Sequence, residues 1–265
     1  MQNNERPADP AGPSFSSPDS HLPSAPRRSV AILPDEVARK IAAGEVIERP
    51  ASAVRELIDN SLDAGATEIV IEWEAGGLDR IRVRGDGWGM TADDLALCHR
   101  PHATSKVRSI EELSKTVTLG FRGEALSSMA SVSELSVMTR PNDAESGARL
   151  SVRRGVAEDV RPVPMNRGTI VETRNLFADM PARRRFLGSP QSESRLIHST
   201  VLEKALPFPS VRFQFGSQTG KTTTLPTQTL TERVAACMGT SVSAERLHLV
   251  EGSGPGFKIS VVAAN

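Results

Sequence analysis

The chain has 265 residues, 38% hydrophobic and 24% charged, which suits one large soluble domain or one domain and part of another. Lys plus Arg and Asp plus Glu both number 32, so the formal net charge is zero. This excludes a chain-wide basic surface, and any DNA contact must rest on a local patch. No apolar run approaches a membrane span and no signal-peptide core opens the chain, which makes the cytoplasm the default compartment.

Six of the 18 prolines fall in residues 1 to 29, among Ser, Asn and Asp, and this stretch reads as a disordered tail. Order begins near Val30, with Pro34 placed for the first turn of a helix and Val37, Ala38 and Ile41 at helical spacing. Pro50 opens a second helix whose apolar stripe is Val54, Leu57, Ile58 and Leu62, closed by Gly65. Residues 67 to 73 alternate as a half-buried strand, Gly76 and Gly77 turn the chain, and residues 80 to 84 return as a hairpin partner. Thr91 caps a short helix. Residues 104 to 123 read as a long polar loop closed by glycines, followed by a helix over 124 to 129. Strands are predicted near 134–139, 148–153 and 168–174, then a helix over 191–206 with Leu196, Ile197, Val201, Leu202 and Ala205 on its apolar side. A hairpin over 211–215 and 222–225, a helix over 230–238 and a strand over 257–263 complete the chain. Cys98 and Cys237 lie far apart without metal-ligand spacing. Hairpins outnumber βαβ units, so the fold class is α/β with a mixed, largely antiparallel sheet.

Glu56 and Asn60 stand four apart in the second helix and share one face, with Asp59 and Asp63 nearby. A carboxylate and a carboxamide one turn apart can serve as a base and an oxygen ligand for Mg²⁺, but so can any solvated helix face carry them. Gly85-Asp86-Gly87-Trp88-Gly89 follows a strand and either lets backbone approach a ligand or simply turns the chain. Gly120-Phe121-Arg122-Gly123 precedes a helix, whose N-terminal amides form a ready phosphate site; the alternative is a hinge with a surface Arg. Gly216-Ser217-Gln218-Thr219-Gly220-Lys221-Thr222 imitates a P-loop but is one residue short and sits in a hairpin turn, so it is rejected.

Taken together, five runs resemble the MutL family of DNA mismatch-repair proteins: residues 41–50, 55–66, 102–106, 120–126 and 181–187. The resemblance spans about 31 to 265 and is carried most specifically by Gly120-Phe121-Arg122-Gly123-Glu124-Ala125-Leu126. The Hsp90 chaperones, type II topoisomerases and sensor histidine kinases share the Glu/Asn helix and glycine loops but not the other runs. The resemblance implies a two-layer sandwich of helices on the mixed sheet, the Bergerat-type ATP-binding fold, over residues 30–228. Residues 229–265 would begin a second α/β domain.

By the same resemblance, Glu56 activates the attacking water and Asn60 ligates Mg²⁺ that bridges the phosphates of ATP. Thr104, Ser105 and Lys106 belong to a lid over ATP, residues Gly120 to Leu126 cradle the phosphates, and Thr169 lies near the adenine end. The family reads Asp-Asn-Gly-x-Gly where this chain reads Gly85-Asp86-Gly87-Trp88-Gly89, so the adenine-reading Asp is replaced by Gly85. Either Asp86 takes over through a one-residue shift of the loop, with Gly87 and Gly89 close to the ligand, or the reader is lost. Arg100-Pro101 also departs from the family before the lid, and the family's second-domain lysine has no counterpart. The implied activity is a slow Mg-dependent ATPase that controls association with a MutS-type mismatch-recognition protein, with an ATP-dependent dimer and weak DNA contact; the alternative is a nucleotide-binding or inert interaction module. The Arg183-Arg184-Arg185 cluster could meet DNA phosphates or form a solvated face.

Overall fold

A computed structural model describes residues 29–114, 118–120, 122–218, 220–239 and 243–264. The N-terminal tail expected over 1–29 lies, but for its last residue, outside the described residues. From Pro34 onward the chain forms one body.

Its centre is a nine-stranded sheet. The strands are β1 (Glu68–Glu74), β2 (Arg80–Gly85), β3 (Glu134–Arg140), β4 (Gly147–Arg153), β5 (Val156–Ala157), β6 (Arg161–Val163), β7 (Gly168–Arg174), β8 (Arg212–Ser217) and β9 (Thr223–Leu225). They run in the order β5-β4-β3-β7-β2-β1-β8-β9, with β6 on β4, and every pairing is antiparallel except β1 with β8. The mixed sheet and helix layer are those the sequence implies. The short edge strands β5 and β6 escape sequence reading because they are mostly exposed, lack an alternating apolar pattern and include Pro162, which only an edge tolerates.

Period-two alternation sorts the sheet into two faces. Ile69, Ile71, Trp73, Ile81, Val83, Leu135, Val137, Phe213 and Phe215 are buried under the helices, in one core with Val54, Leu57, Ile58, Met129, Ile197 and Val201. The opposite face carries a ladder of ion pairs: Arg80–Glu74 (2.7 Å), Arg82–Glu72 (2.9 Å), Arg84–Glu68 (2.8 Å) and Arg174–Glu172 (2.7 Å).

The helices are α1 (Asp35–Val46), α2 (Pro50–Asp63), α3 (Ala92–Leu97), α4 (Ile110–Leu113), α5 (Ala125–Val132), α6 (Pro181–Arg184), α7 (Pro190–Ala205) and α8 (Leu230–Met238). Two expected stripes differ. Val37 and Ile41 of α1 are 42% and 49% exposed, because this helix docks on α5 through the small residues of its last turns, Ala43 and Gly44, with Ile47 just beyond. In α7, Leu196 is 37% exposed, and the buried side is Glu193, Ile197, Thr200, Val201 and Ala205. The stripe rotates because Trp73 donates its indole N–H to Ser194 and Glu193 accepts from the Gly188 amide, turning that edge of the helix inward.

Beyond α8, β10 (Leu247–Gly254) pairs antiparallel with β11 (Phe257–Ala264) as a separate two-stranded sheet. Helix α8 is tied to the first sheet by Arg233, which is fully buried. Its guanidinium donates to the carbonyls of Ala205 (2.7 Å), Phe208 (3.0 Å), Pro209 (3.2 Å), Val211 (2.9 Å) and Pro226 (2.8 Å), and lies over the Phe213 ring. Arg233→Met would strand these five acceptors, each costing about 1–3 kcal/mol when left buried and unmet. We expect a loss of stability of about 3 kcal/mol or more, read as a fall in the urea midpoint with the slope unchanged.

Candidate functional site

Helix α2 buries Val54, Leu57 and Ile58 against the sheet, and its 3.6-residue period then places Glu56, Asn60 and Asp63 along its polar flank. Asp59 is buried and held by Lys204 of α7, Nζ to Oδ2 2.7 Å, which compensates its charge. Burial, then the neighbouring Asp59 charge, pushes the Glu56 carboxyl above its ordinary value, with Lys204 and Lys106 pulling against them. A carboxylate of raised proton affinity is the better base.

One turn on, Asn60 accepts from Lys106 Nζ at 2.9 Å through Oδ1. The same ammonium lies 2.5 Å from Asp63 Oδ2. A hydrogen on Gly120 faces this group: a Cβ there would lie 3.6 Å from Lys106 Nζ and 4.0 Å from Asn60 Oδ1 and Asp63 Oδ2. The structure thus brings Lys106 and Gly120, distant in sequence, to Asn60, one helical turn from Glu56. An ammonium already seated on Asn60 Oδ1 shows that this oxygen set accepts positive charge. Among the described residues no group of three or more His, Cys, Asp or Glu could hold a metal. A cation here would therefore draw most ligands from phosphate and water, as Mg²⁺ does.

Around Lys106, Thr104 accepts from the Lys106 amide through Oγ1 (3.1 Å), and Ser105 is exposed. The polar loop they open is not wholly irregular: Ser109 caps the one-turn helix α4. This loop is entered through a type II turn, with Pro101 at its second position, His102 at φ 62° and the Ala103 amide bonded to the Arg100 carbonyl. This turn packs on Gly123, whose φ is +64° and where a Cβ would lie 2.8 Å from the Ala103 carbonyl oxygen, so only glycine fits. Phe121 lies outside the described residues, and Arg122 is exposed. Glu124 is the N-cap residue of α5, followed by Ala125 and Leu126. Helices α3, α4, α7 and α8 carry side-chain caps from Thr91, Ser109, Ser189 and Thr229, whereas the N-cap residues of α1, α2, α5 and α6 make no side-chain cap bond. The first amides of a helix point out of its start, where an anion can be held.

At the other end, Gly85 pairs with Ile69 on β1 and with Thr169 on β7, so the strand continues through it without a register shift. The Asp86 side chain is turned to the start of β1. Its Oδ1 accepts from the Thr67 and Glu68 amides (2.7 and 2.9 Å) and its Oδ2 from the Thr67 hydroxyl (2.6 Å). Burial works against its charge, but these bonds outweigh it and hold the Asp86 carboxyl below its ordinary value. Gly87 and Gly89 bring the loop against backbone: Cβ atoms there would lie 2.4 Å from the Ala64 carbonyl oxygen and 2.6 Å from that of Arg140. Position 85 itself looks onto Ser61 and Ala66, with Ser61 Cβ and Oγ 3.1 and 3.2 Å from where its Cβ would stand. Thr169 shares a hydroxyl bond (2.9 Å) with the buried Thr139, which also accepts from the Met90 amide (2.8 Å).

This arrangement defines a class. Residues 47–173 match the family model described as histidine kinase-, DNA gyrase B- and HSP90-like ATPase. The chain is 44% identical over 223 residues to the DNA mismatch repair protein MutL of Solibacter usitatus (strain Ellin6076), covering 83% of this chain and 34% of that protein. It is 42% identical over 236 residues to the MutL of Geobacter sulfurreducens (strain ATCC 51573 / DSM 12127 / PCA), covering 89% and 39%. Among solved structures, the Aquifex aeolicus MutL ATPase domain complexed with ADP superposes with a TM-score of 0.60 at 32% identity, over 78% of this chain and 73% of that one. The chain belongs to the MutL family and carries its ATPase-domain fold. It spans roughly a third of the length of the curated relatives it matches.

Sequence reading left Lys204, Thr139 and Ser61 unassigned, and noted Asp63 only as a neighbour. Asp63 carries a usable signal, one turn past Asn60; Lys204 carries none, being 145 positions from Asp59. For Asp86, Asp86→Ala is expected to cost about 1–3 kcal/mol, since it strands two amides at the start of β1. The ionic part of that loss follows the sign of the shift. It is full above the unfolded-state pKa and vanishes as pH falls through the lower folded value, which paired denaturation curves at neutral and acid pH would show.

Proposed function

We propose that this chain binds Mg-ATP between α2, α5 and the glycine loop and hydrolyses it slowly, as the nucleotide-driven part of a mismatch-repair protein. The observation that carries the reading is the convergence of Glu56, Asn60, Lys106 and Gly120 beside the uncapped start of α5. Residues 30–228 form the ATP-binding domain, and 229–265 open a second domain joined to it through Arg233. Glu56, as its carboxylate, takes a proton from the attacking water. Asn60 holds Mg²⁺, which supplies charge neutralisation at the phosphates when bound. Lys106 and the amides of Gly123 to Leu126 orient the phosphate oxygens, so positioning and electrostatics do most of the catalysis. Thr169 and Thr139 line the adenine end, where Gly85 leaves the base without a carboxylate reader. In the longer protein, the nucleotide state would control association with a MutS-type partner and a second copy, with weak salt-sensitive DNA contact, in the cytoplasm. An inert nucleotide-binding module is the second reading, favoured by Gly85.

Titration of Mg-ATP with turnover measured on the same sample separates the two. Glu56→Ala should keep binding and lose on the order of 10²–10⁴ in rate, whereas Asn60→Ala should weaken binding only when Mg²⁺ is present. Wild-type turnover should fall as pH drops through the Glu56 pKa, at a pH above the ordinary carboxylate range. Equal rates in wild type and Glu56→Ala would leave the inert module standing. At the adenine end, Gly85→Asp restores a charged acceptor worth about 1.5–3 kcal/mol, or one to two orders of magnitude in affinity. We expect it to tighten ATP over GTP once Ser61 gives by a few tenths of an ångström; unchanged affinities would remove this loop from base recognition.

A further inference from the structure

Resting on that reading, we propose that Asp63 is the positioning residue of the lid, gathering its two ends on one carboxylate and holding Lys106 against Asn60. Four bonds carry the proposal. Asp63 Oδ2 takes the Lys106 ammonium (2.5 Å) and the Gly120 amide (3.1 Å), while Oδ1 takes the Leu119 amide (2.9 Å). The ammonium also donates to Asn60 Oδ1 at 2.9 Å. Lys106 enters the lid and Leu119 and Gly120 leave it, so a single side chain closes the loop. Below this closure the neck is sealed again, where the His102 turn packs on Gly123.

The arrangement is more than a surface ion pair. The side chains of Asp63 and Lys106 are only 8% and 20% exposed. Charge-assisted bonds in such a place are about twice as strong as neutral ones, and they offset the loop-closure entropy of the lid. Asn60 Oδ1 is the oxygen assigned to the cation, and it cannot serve a cation and the ammonium from the same side. With a cation on Asn60, Lys106 would give up that oxygen and remain on Asp63, which would keep its ammonium beside Gly120. Asp63 touches no reacting atom; it acts by placing Lys106 and the Gly120 amide.

The test is made first on the ligand-free chain, so that it does not depend on ATP binding. Hydrogen exchange at the Leu119 and Gly120 amides and tryptic cleavage after Arg108 are measured for wild type, Asp63→Asn, Lys106→Met and the double variant, with melting midpoints as the control for folding. Asp63→Asn should speed both amides and the cleavage tenfold or more. Lys106→Met should speed cleavage by a smaller factor and leave the two amides protected. The double variant should match Asp63→Asn, because the second substitution removes a bond already lost. With Mg-ATP, Asp63→Asn should raise KM about tenfold, whereas Glu56→Ala should lower kcat and leave the ligand-free exchange unmoved. Unchanged exchange in a folded Asp63→Asn chain, or additive effects in the double variant, would overturn the proposal. If Asp63→Asn does not fold, Lys106→Met decides alone: cleavage after Arg108 no faster than wild type overturns it. Absence of Mg-ATP binding by the wild type would instead strike the proposed function and leave the ligand-free result standing.

Discussion

The structure hangs on the docking of α2. This helix buries Val54, Leu57 and Ile58 against the sheet, and a helix with one flank committed to the core has no freedom in where its other flank faces. Glu56, Asn60 and Asp63 are placed by that packing, not by any local motif. Asp59 is the cost of the arrangement, a carboxylate drawn into the core, and Lys204 from α7 answers it. The same ion pair joins the helix that bears Glu56 to the helix that covers β8, so the electrostatics around Glu56 depend on how two helices lie together.

The sheet contributes a row rather than a residue. Gly85, Thr169 and Thr139 stand side by side across β2, β7 and β3, and Gly168 lets β7 come close enough that a Cβ there would lie 2.3 Å from the Gly85 carbonyl oxygen. Strand register therefore fixes this row as firmly as packing fixes the polar flank of α2. It also holds Asp86 one place past Gly85, since a one-residue slip of β2 would turn Ile81 and Val83 out of the core.

Those facts separate what could be read from residues alone and what could not. Helix α2 and strands β1, β2, β3, β4 and β7 announce themselves by period, since each buries one face over most of its length. Glu56 and Asn60 are weak as a pair and become specific only through the runs around them. Asp86 resists reading because its acceptor duty is toward Thr67 and Glu68, on the neighbouring strand. Lys106 on Asp63, and Lys204 on Asp59, are pairings across 43 and 145 positions, and no local pattern encodes which charges meet after folding. Strand β10 hides for another reason: its second half, Glu251-Gly252-Ser253-Gly254, has none of the branched residues that mark a strand.

Arg233 sets the manner in which the far end of the chain can come loose. An arginine cannot shed its proton to ease its way out of the core, and five carbonyls depend on that one group. Helix α8 is therefore pinned at its first turn. Releasing that turn requires the guanidinium and its acceptors to hydrate together, because each bond lost alone leaves a buried polar group unmet.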